Sequence, residues 1–177
     1  MKKVVIVSST PRDGGNSELL AVQFARGARD AGHIVETQYL RDFNIGYCRG
    51  CYSCAKSGRC FQSDGMNSIT QSLLTADVIL LSTPVYFYAM SGQLKVFIDR
   101  LLPVYSKIRA DIYLICTSYD TDDAKLEQCI ENIRGATRDC FENCPEKGIL
   151  KVGGLDKAGE IKKRPELKTA YEMGKNC

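Results

Sequence analysis

Four cysteines lie within one stretch of thirteen residues, in the pattern Cys-x2-Cys-x2-Cys-x5-Cys. Iron–sulfur clusters take four thiolates, and a compact Cys-x2-Cys-x2-Cys run is one of their ligand patterns. Zinc also accepts four thiolates at such spacings. A third possibility is bare thiols that form reversible disulfides, with nearby Arg49, Lys56 and Arg59 favouring the thiolate. The four candidate ligands are Cys48, Cys51, Cys54 and Cys60.

The wider cysteine count is high for a reducing compartment, but no secretion signal supports a disulfide framework. The chain has nine cysteines, an odd number, and its apolar run near the start covers only residues 4–7. A secretion signal needs an apolar core of about 7–15 residues. We therefore expect a cytoplasmic protein without a disulfide framework. The single histidine, His33, argues against hydrolases that need a histidine base beside a nucleophile.

Size and charge exclude several function classes. The chain has 177 residues, which suits a single domain spanning residues 1–177. Its net charge is only +3. Nucleic-acid-binding domains usually show a pI above about 9 with clustered Lys and Arg, so no nucleic-acid partner is expected. No stretch reaches the roughly 20 apolar residues that span a membrane.

Apolar β-branched runs alternate with amphipathic segments along the chain. Strands are predicted over 2–9, 33–40, 77–84, 111–118 and 148–154. Helices are predicted over 17–32, 66–76, 91–104 and 122–141, and in the tail 156–177 with a break at Pro165. This alternation predicts an α/β domain, a doubly wound five-stranded parallel sheet with helices on both faces. The cysteine-rich loop, residues 46–60, follows the second strand and shows no regular element.

The loop after the first strand favours an anion. In a doubly wound sheet the ligand site lies at the carboxyl ends of the strands. "TPRDGGNS" opens onto a helix N-terminus, which attracts negative charge, although a polar helix-capping loop would look similar. It lacks the Gly-Lys-Ser/Thr ending of a P-loop and the three-glycine spacing of a dinucleotide-binding fingerprint. If the loop binds an anion, Asp13 must face away from it. Its candidate donors are Thr10, Arg12, Asn16 and Ser17.

The loop after the third strand is aromatic. It carries Pro84, Tyr86, Phe87 and Tyr88 directly after a buried run. These rings could form a wall for a flat ligand, or they could simply pack. An anion loop and an aromatic loop at one sheet edge together suggest a phosphorylated aromatic cofactor.

Three segments occur in one chain and in one order: "SSTPRDGGNSELL", "CRGCYSCAKSGRC" and "LLSTPVYFYAMSGQLKVFIDR". Together they resemble the flavodoxin-like NAD(P)H-dependent FMN reductase family, including its iron–sulfur flavoprotein branch. The resemblance runs from residue 3 to about residue 103, and the third segment is the most specific. It implies a flavodoxin-like fold, bound FMN and NAD(P)H as the electron donor.

The resemblance also implies roles for individual residues. The cofactor phosphate would lie against the first loop, the ribityl chain and ring against the loop after the third strand, and the far ring edge near the next loop. Tyr86, Phe87 and Thr117 would shape the flavin site, and no acid or base is needed. The implied cofactor-binding residues are Ser9, Thr10, Arg12, Asn16, Ser17, Pro84, Val85, Tyr86, Phe87, Thr117, Ser118 and Asp120.

The chain departs from the family pattern in two places. The family's usual glycine before the first loop is Ser9 here. Its frequent Asp-Asp-Met after the fourth cysteine is Asp-Gly-Met here, with Gly65 in place of the second acid. The first change bears on how closely the backbone approaches the phosphate, and the second weakens any role for an acid pair.

Three functions remain open. The resemblance implies an FMN-dependent oxidoreductase that transfers electrons from NAD(P)H to a flavin, a quinone, a nitro or azo compound, or a metal ion. The iron–sulfur branch implies an electron carrier with a [4Fe-4S] cluster on the four cysteines and a ferredoxin-like donor. A redox or metal sensor, in which the cysteine loop switches an interface, is the third. The resemblance also implies a homodimer or a dimer of dimers.

Overall fold

A computed structural model describes residues 1–177 of the chain. Five parallel strands form one sheet in the order β2-β1-β3-β5-β6, and β4 pairs antiparallel with the end of β3. This is the flavodoxin order with a short hairpin added, so the predicted fold class is confirmed. The strands are β1 (Lys3–Ser8), β2 (Ile34–Tyr39), β3 (Val78–Tyr86), β4 (Ala89–Met90), β5 (Asp111–Thr117) and β6 (Glu146–Val152).

Helices cover both faces of the sheet. Alternate β1 residues face opposite sides: Val5 and Val7 join one core cluster, and Val4 and Ile6 join the other. The first cluster packs under α3, α4 and α5, and the second under α1 and α6. None of the helices has the length and apolarity that crossing a membrane requires. The helices are α1 (Asn16–Asp30), α2 (Ser53–Ser57), α3 (Met66–Leu74), α4 (Gly92–Asp99), α5 (Asp123–Thr137) and α6 (Glu166–Lys175).

The structure corrects several predicted boundaries. The cysteine segment contains a one-turn helix, α2, where no regular element was expected. A residue with left-handed backbone conformation lies at each end of this helix, Tyr52 at φ 54° and Gly58 at φ 69°. The Gly58 amide donates a hydrogen bond to the Cys54 carbonyl. α5 ends at Thr137, four residues before the predicted end, and β3 runs on to Tyr86 because it forms a hairpin with β4. The predicted break at Pro165 is confirmed, since α6 begins directly after it.

Two glycines let α1 and α6 approach closely. A Cβ on Gly174 would overlap the backbone carbonyl of Phe24, and a Cβ on Gly27 would overlap that of Tyr171. Neither obstacle is a flexible side chain, so neither can move aside cheaply. The glycines therefore hold the C-terminal helix against the helix that begins at the first loop.

We predict that Gly174→Ala lowers the free energy of unfolding by about 1–3 kcal/mol, because forcing extra atoms into a close-packed contact costs that much. Urea denaturation measures the change. The matched control is Gly135→Ala in α5, where an added Cβ would meet nothing within 4 Å. That control should be neutral or stabilising, since alanine favours helix over glycine. Equal effects of the two substitutions would contradict the close-packing account.

Candidate functional site

A cleft of about 220 Å³ lies at the carboxyl ends of β1, β3 and β5. Eight of the residues expected to bind a cofactor line it, namely Thr10, Arg12, Asn16, Ser17, Pro84, Val85, Tyr86 and Thr117. Four others, Ser9, Phe87, Ser118 and Asp120, do not. The wall is completed by five residues that the sequence did not indicate, namely Gly15, Tyr119, Leu155, Asp156 and Ala158.

The first loop presents unsatisfied hydrogen-bond donors to this cleft. The backbone amides of Asn16, Ser17 and Glu18, at the start of α1, donate to no acceptor in the chain. The Ser17 hydroxyl is buried and also lacks a partner. Buried polar groups normally have partners, and a helix N-terminus favours negative charge. These donors therefore fit a bound anion such as a phosphate.

The loop is packed tightly behind these donors. A Cβ on Gly15 would lie 2.7 Å from the Thr10 Oγ1 and 3.1 Å from the Arg12 carbonyl oxygen. Thr10 Oγ1 also accepts a hydrogen bond from the Arg12 amide at 3.3 Å. Any side chain at position 15 would therefore push the loop apart, and the glycine preserves the shape of the anion site.

Arg41 draws the nearby carboxylates away from the cleft. Its guanidinium contacts Asp13 Oδ1 at 2.8 Å and Glu18 Oε2 at 2.8 Å. The hydrogen bond to Glu18, with the charges of Glu18 and Asp13, raises the pKa of Arg41 against the opposing effect of its burial. Asp13 thus faces away from the cleft, as an anion site in this loop requires. Arg41 balances the negative charges of Asp13 and Glu18 beside the start of the helix.

Buried hydroxyl groups fix the loop from below. Ser9 donates to the Ser82 carbonyl at 3.0 Å, and Ser91 lies 3.0 Å from the Ser9 hydroxyl. Ser82 in turn donates to the Ser17 carbonyl at 2.8 Å. Ser9, at the position where the family resemblance implies a glycine, is thus fully buried and supports the loop instead of facing the cleft.

The outer wall of the cleft comes from the C-terminal part of the chain. We call residues 155–161 the strap. Arg12 donates to the Asp156 carbonyl at 3.3 Å, and the Asn16 side-chain amide donates to the Lys157 carbonyl at 2.9 Å. The Ile161 amide returns a hydrogen bond to Asn16 Oδ1 at 3.2 Å. Asn16 thus tethers the strap, a role that its position in the loop did not reveal.

Glu160 organises the strap from within. Its Oε2 accepts hydrogen bonds from the amides of Asp156, at 2.7 Å, and Lys157, at 3.0 Å. These two hydrogen bonds, that from Asp156 first, lower the pKa of Glu160 below its ordinary value. The only sequence signal for this wall is its place after the last strand, whose carboxyl end lies at the same sheet edge.

The aromatic loop divides between the cleft and its surroundings. Pro84 and Tyr86 belong to β3, and the β3–β4 hairpin turns at Phe87 and Tyr88, which have φ of 49° and 60°. Positive φ at both central residues matches the twist of a hairpin, but it is uncommon for bulky residues. Tyr86 lines the cleft, Phe87 projects fully into solvent, and Tyr88 lies under the Lys125 ammonium, 5.1 Å from the ring centre.

The end of β5 contributes Thr117 to the cleft, as expected, and the loop after it contributes Tyr119 in place of Ser118 and Asp120. Ser118 accepts a hydrogen bond from the Asp120 amide at 3.0 Å. Asp120 pairs with Lys125 at 2.6 Å, and this hydrogen bond is the main cause that lowers the pKa of Asp120. Tyr119, which lies between them and is largely exposed, lines the cleft together with Thr117.

A buried ion pair closes the base of the cysteine segment. Arg100 Nη1 donates to the Gly46 carbonyl at 2.6 Å and to Asp64 Oδ2 at 2.7 Å, and Nη2 donates to Asp64 Oδ1 at 3.0 Å. Burial alone would raise the pKa of Asp64, but the Arg100 hydrogen bond and the Gly46 and Met66 amides lower it below its ordinary value. Gly65 packs against Phe43, 2.7 Å from where a Cβ would stand, so a second acid has no room.

The four candidate ligands line one small cavity together with Arg100 and Pro103. All four thiols are free, and no three metal-ligating side chains converge on a common point. Hydrogen bonding to Ser53, with a smaller contribution from Arg49, lowers the pKa of Cys51. Cys116 and Cys129 are buried in the core. Ligation of a metal by Cys48, Cys51, Cys54 and Cys60 stays a prediction.

Known proteins resemble this chain in sequence and in fold. The family model described as NADPH-dependent FMN reductase matches residues 2–135. An iron–sulfur flavoprotein of Archaeoglobus fulgidus is 35% identical over 103 residues, covering 58% of this chain and 46% of the relative. One of Methanocaldococcus jannaschii is 36% identical over 102 residues, covering 58% and 53%. The chain thus spans about half the length of the curated relatives it matches.

Solved structures share the fold at low sequence identity. The NAD(P)H:quinone oxidoreductase from Methanothermobacter marburgensis superposes with a TM-score of 0.75 at 19% identity, covering 99% of this chain and 96% of that one. An azoreductase from Bacillus anthracis superposes with a TM-score of 0.75 at 15% identity, covering all of both chains. Identities this low show the common fold alone.

We predict that Asp64→Asn lowers the free energy of unfolding by about 3–5 kcal/mol, because it leaves the buried Arg100 charge uncompensated. Denaturation in urea at neutral pH measures the loss. Since the folded pKa of Asp64 is depressed, its contribution is present above the unfolded value of about 3.9 and is lost as pH falls through the folded value.

The control for this prediction is Asp99→Asn, which breaks the exposed pair with Lys95. An exposed helix pair of this kind contributes only about 0.3–0.5 kcal/mol. A loss at Asp64 no larger than the loss at Asp99 would contradict the role assigned to the buried pair.

Proposed function

Because this chain belongs to the NADPH-dependent FMN reductase family, we propose that it is an oxidoreductase that binds FMN in the cleft at the carboxyl ends of β1, β3 and β5. The observation that carries the proposal is the set of unsatisfied donors at the start of α1. The amides of Asn16, Ser17 and Glu18 and the buried Ser17 hydroxyl suit the cofactor's phosphate. NAD(P)H is the proposed electron donor.

At the phosphate end the proposed ligands are Thr10, Arg12 and Ser17 with the free amides of the helix start. Arg12 uses only Nη1 on the strap, so its other N–H groups stay available for a charge-assisted hydrogen bond. Asn16 has both side-chain atoms committed to the strap, at Lys157 and Ile161. We therefore assign Asn16 a positioning role, with only its backbone amide reaching the phosphate.

At the other end of the cleft the proposed flavin contacts are Pro84, Val85, Tyr86, Thr117 and Tyr119. Bound FMN supplies the redox chemistry, accepting a hydride and passing on electrons. The protein orients the ring and leaves one side open, since Tyr86 and Tyr119 are partly exposed. Phe87 projects beyond the cleft, so we assign it to the mouth of the site rather than to a direct ring contact.

The acceptor that suits this open site is a small planar molecule: a free flavin, a quinone, or a nitro or azo compound; a metal ion could also accept electrons there. Two proteins that share the fold carry the names quinone oxidoreductase and azoreductase. No acid or base is assigned, because the residues that shape the ring site, Tyr86 and Thr117, bind and orient. A homodimer, in which a partner subunit covers the exposed Phe87 and Tyr119, remains part of the proposal.

We expect Ser17→Ala to weaken FMN binding about tenfold or more, because a hydrogen bond to a charged group contributes about 1.5–3 kcal/mol. The free energy of unfolding of the cofactor-free protein should not fall, since this hydroxyl has no partner in the chain. Quenching of FMN fluorescence gives the affinity, and urea denaturation gives the stability.

Ser82→Ala is the contrasting variant. It removes a hydroxyl that holds the Ser17 carbonyl at 2.8 Å, so it should lower the stability of the cofactor-free protein by about 1 kcal/mol. Unchanged FMN affinity in the Ser17 variant would mean that the phosphate lies elsewhere.

We also expect Glu160→Gln to speed the release of FMN, because a neutral amide holds the Asp156 and Lys157 amides less strongly than a carboxylate. Stopped-flow fluorescence after dilution measures the release rate. The pKa of Glu160 is depressed, so wild-type retention is complete above the ordinary glutamate value of about 4.3 and declines as pH falls through the lowered value.

Glu172→Gln, at an exposed site on α6, is the control for the strap. A release rate that rises equally in both variants, or in neither, would count against the strap as a retaining element.

A second candidate is an iron–sulfur flavoprotein, in which Cys48, Cys51, Cys54 and Cys60 hold a [4Fe-4S] cluster and a ferredoxin-like protein supplies electrons. The observation in its favour is that all four cysteines line one small cavity. Four thiolates fit such a cluster chemically, although the sulfur atoms must first move together. Gly50 and Gly58, both at positive φ, allow residues 48–60 to rearrange while the Arg100–Asp64 pair holds the base.

For this candidate we expect about four irons and four acid-labile sulfides per chain in protein purified without oxygen. Cys51→Ser should remove most of the iron, whereas Cys140→Ser, at an exposed cysteine outside the segment, should not. Iron analysis and visible absorption follow the cluster. Full FMN binding with no iron or sulfide would leave a reductase with a thiol-rich loop. One zinc ion per chain would show that the four cysteines form a zinc site instead.

A further inference from the structure

A second cavity, larger than the cofactor cleft, is separate from it. It has a volume of about 830 Å³ and lies between the cysteine segment, α3 and the chain that follows α4. No residue of its wall belongs to the wall of the cofactor cleft. Sites for small organic ligands occupy about 300–1,000 Å³, so the cavity is large enough for a molecule of nucleotide size.

The wall of this cavity is positively charged. Arg59 and Lys107 contribute unpaired charge to it, Arg100 is paired with Asp64, and no Asp or Glu belongs to the wall. The side chains of Arg59 and Lys107 enter no ion pair or hydrogen bond, whereas most other cations of the chain are paired. Residues 46–63 also contain Arg49 and Lys56 and no carboxylate. The unbalanced charge favours an anion.

Arg100 adds a buried donor without an acceptor. Its side chain is only 1% exposed, and both terminal nitrogens are committed to Asp64 or the Gly46 carbonyl. Its Nε is buried and has no partner. A guanidinium carries five N–H donors, and buried donors are normally satisfied. This part of the wall therefore holds one unsatisfied donor, close to Cys60.

The same cavity has an apolar side. Phe61 is half exposed, and Met66, Leu74 and Val104 lie beside it in the wall. The side-chain amides of Asn67 and Gln71 are exposed in the same wall and make no hydrogen bond within the chain. Cations, free amides and an aromatic ring together suit a molecule that joins a phosphate to a flat organic group.

We propose that this cavity binds a phosphorylated organic anion of nucleotide size. The phosphate lies against Arg59 and Lys107, and the organic group lies against Phe61. Cys60 is in the same wall, so the bound molecule covers one of the four candidate ligands. The site therefore links the occupancy of a second ligand to the state of the cysteine segment.

The test is calorimetric titration of the protein, in the presence of saturating FMN, with adenosine diphosphate, inorganic phosphate and adenosine. Adenosine diphosphate should bind, and adenosine should not. The double variant Arg59→Gln/Lys107→Gln should bind it at least about tenfold more weakly, because charge-assisted hydrogen bonds are the strong ones. Phe61→Ala should weaken the binding of adenosine diphosphate but leave the binding of inorganic phosphate unchanged.

The matched control is Arg29→Gln/Lys168→Gln, which removes the same charge from exposed sites on α1 and α6. No binding of adenosine diphosphate, or an equal loss in the control, would overturn the proposal. If adenosine diphosphate binds no more tightly than inorganic phosphate, the proposed contact between the organic group and Phe61 is wrong. Reduction by NADPH, followed on the same samples, reports on the proposed oxidoreductase separately, because no cofactor-cleft residue is changed.

Discussion

The buried ion pair between Arg100 and Asp64 is the constraint on which the distinctive half of this structure depends. Arg100 directly follows α4, and Asp64 lies two residues before the start of α3. Their contact brings the two ends of the cysteine segment together, since Arg100 also holds the Gly46 carbonyl. Such a pair contributes little net stability compared with an apolar substitute, but losing one partner is costly. Its main consequence is therefore geometric, because it fixes the base of a segment whose tip stays adaptable.

The cofactor cleft depends on two sets of hydrogen-bond donors. Donors that have partners in the core hold in place the donors that have none. Ser9, Ser82 and Ser91 complete their hydrogen bonds inside the core and so hold the first loop rigid. Ser17 and the first amides of α1 are left without acceptors at the surface of that rigid loop. The strap then closes the outer side through Asn16. The conformational entropy of these donors is thus lost when the protein folds, and not when a ligand binds.

The fold and most of the cleft could be predicted from the sequence, because both depend on local patterns. Apolar runs alternating with amphipathic segments specify strands and helices, and the carboxyl-end rule then brings the loops at Thr10, Pro84 and Thr117 together. What could not be predicted depends on tertiary contacts. Ser9 and Ser17 look equivalent in sequence, but only packing decides which is satisfied. The strap enters the site through Asn16, 141 residues away from its partner Lys157, and no local pattern shows that contact.

The central claim is that the cleft at the start of α1 binds FMN that NADPH reduces. The most direct measurement is the visible absorption spectrum of protein purified without oxygen, recorded before and after NADPH is added. We expect flavin absorption bands that bleach when NADPH is added. A colourless protein that cannot be loaded with FMN would contradict it.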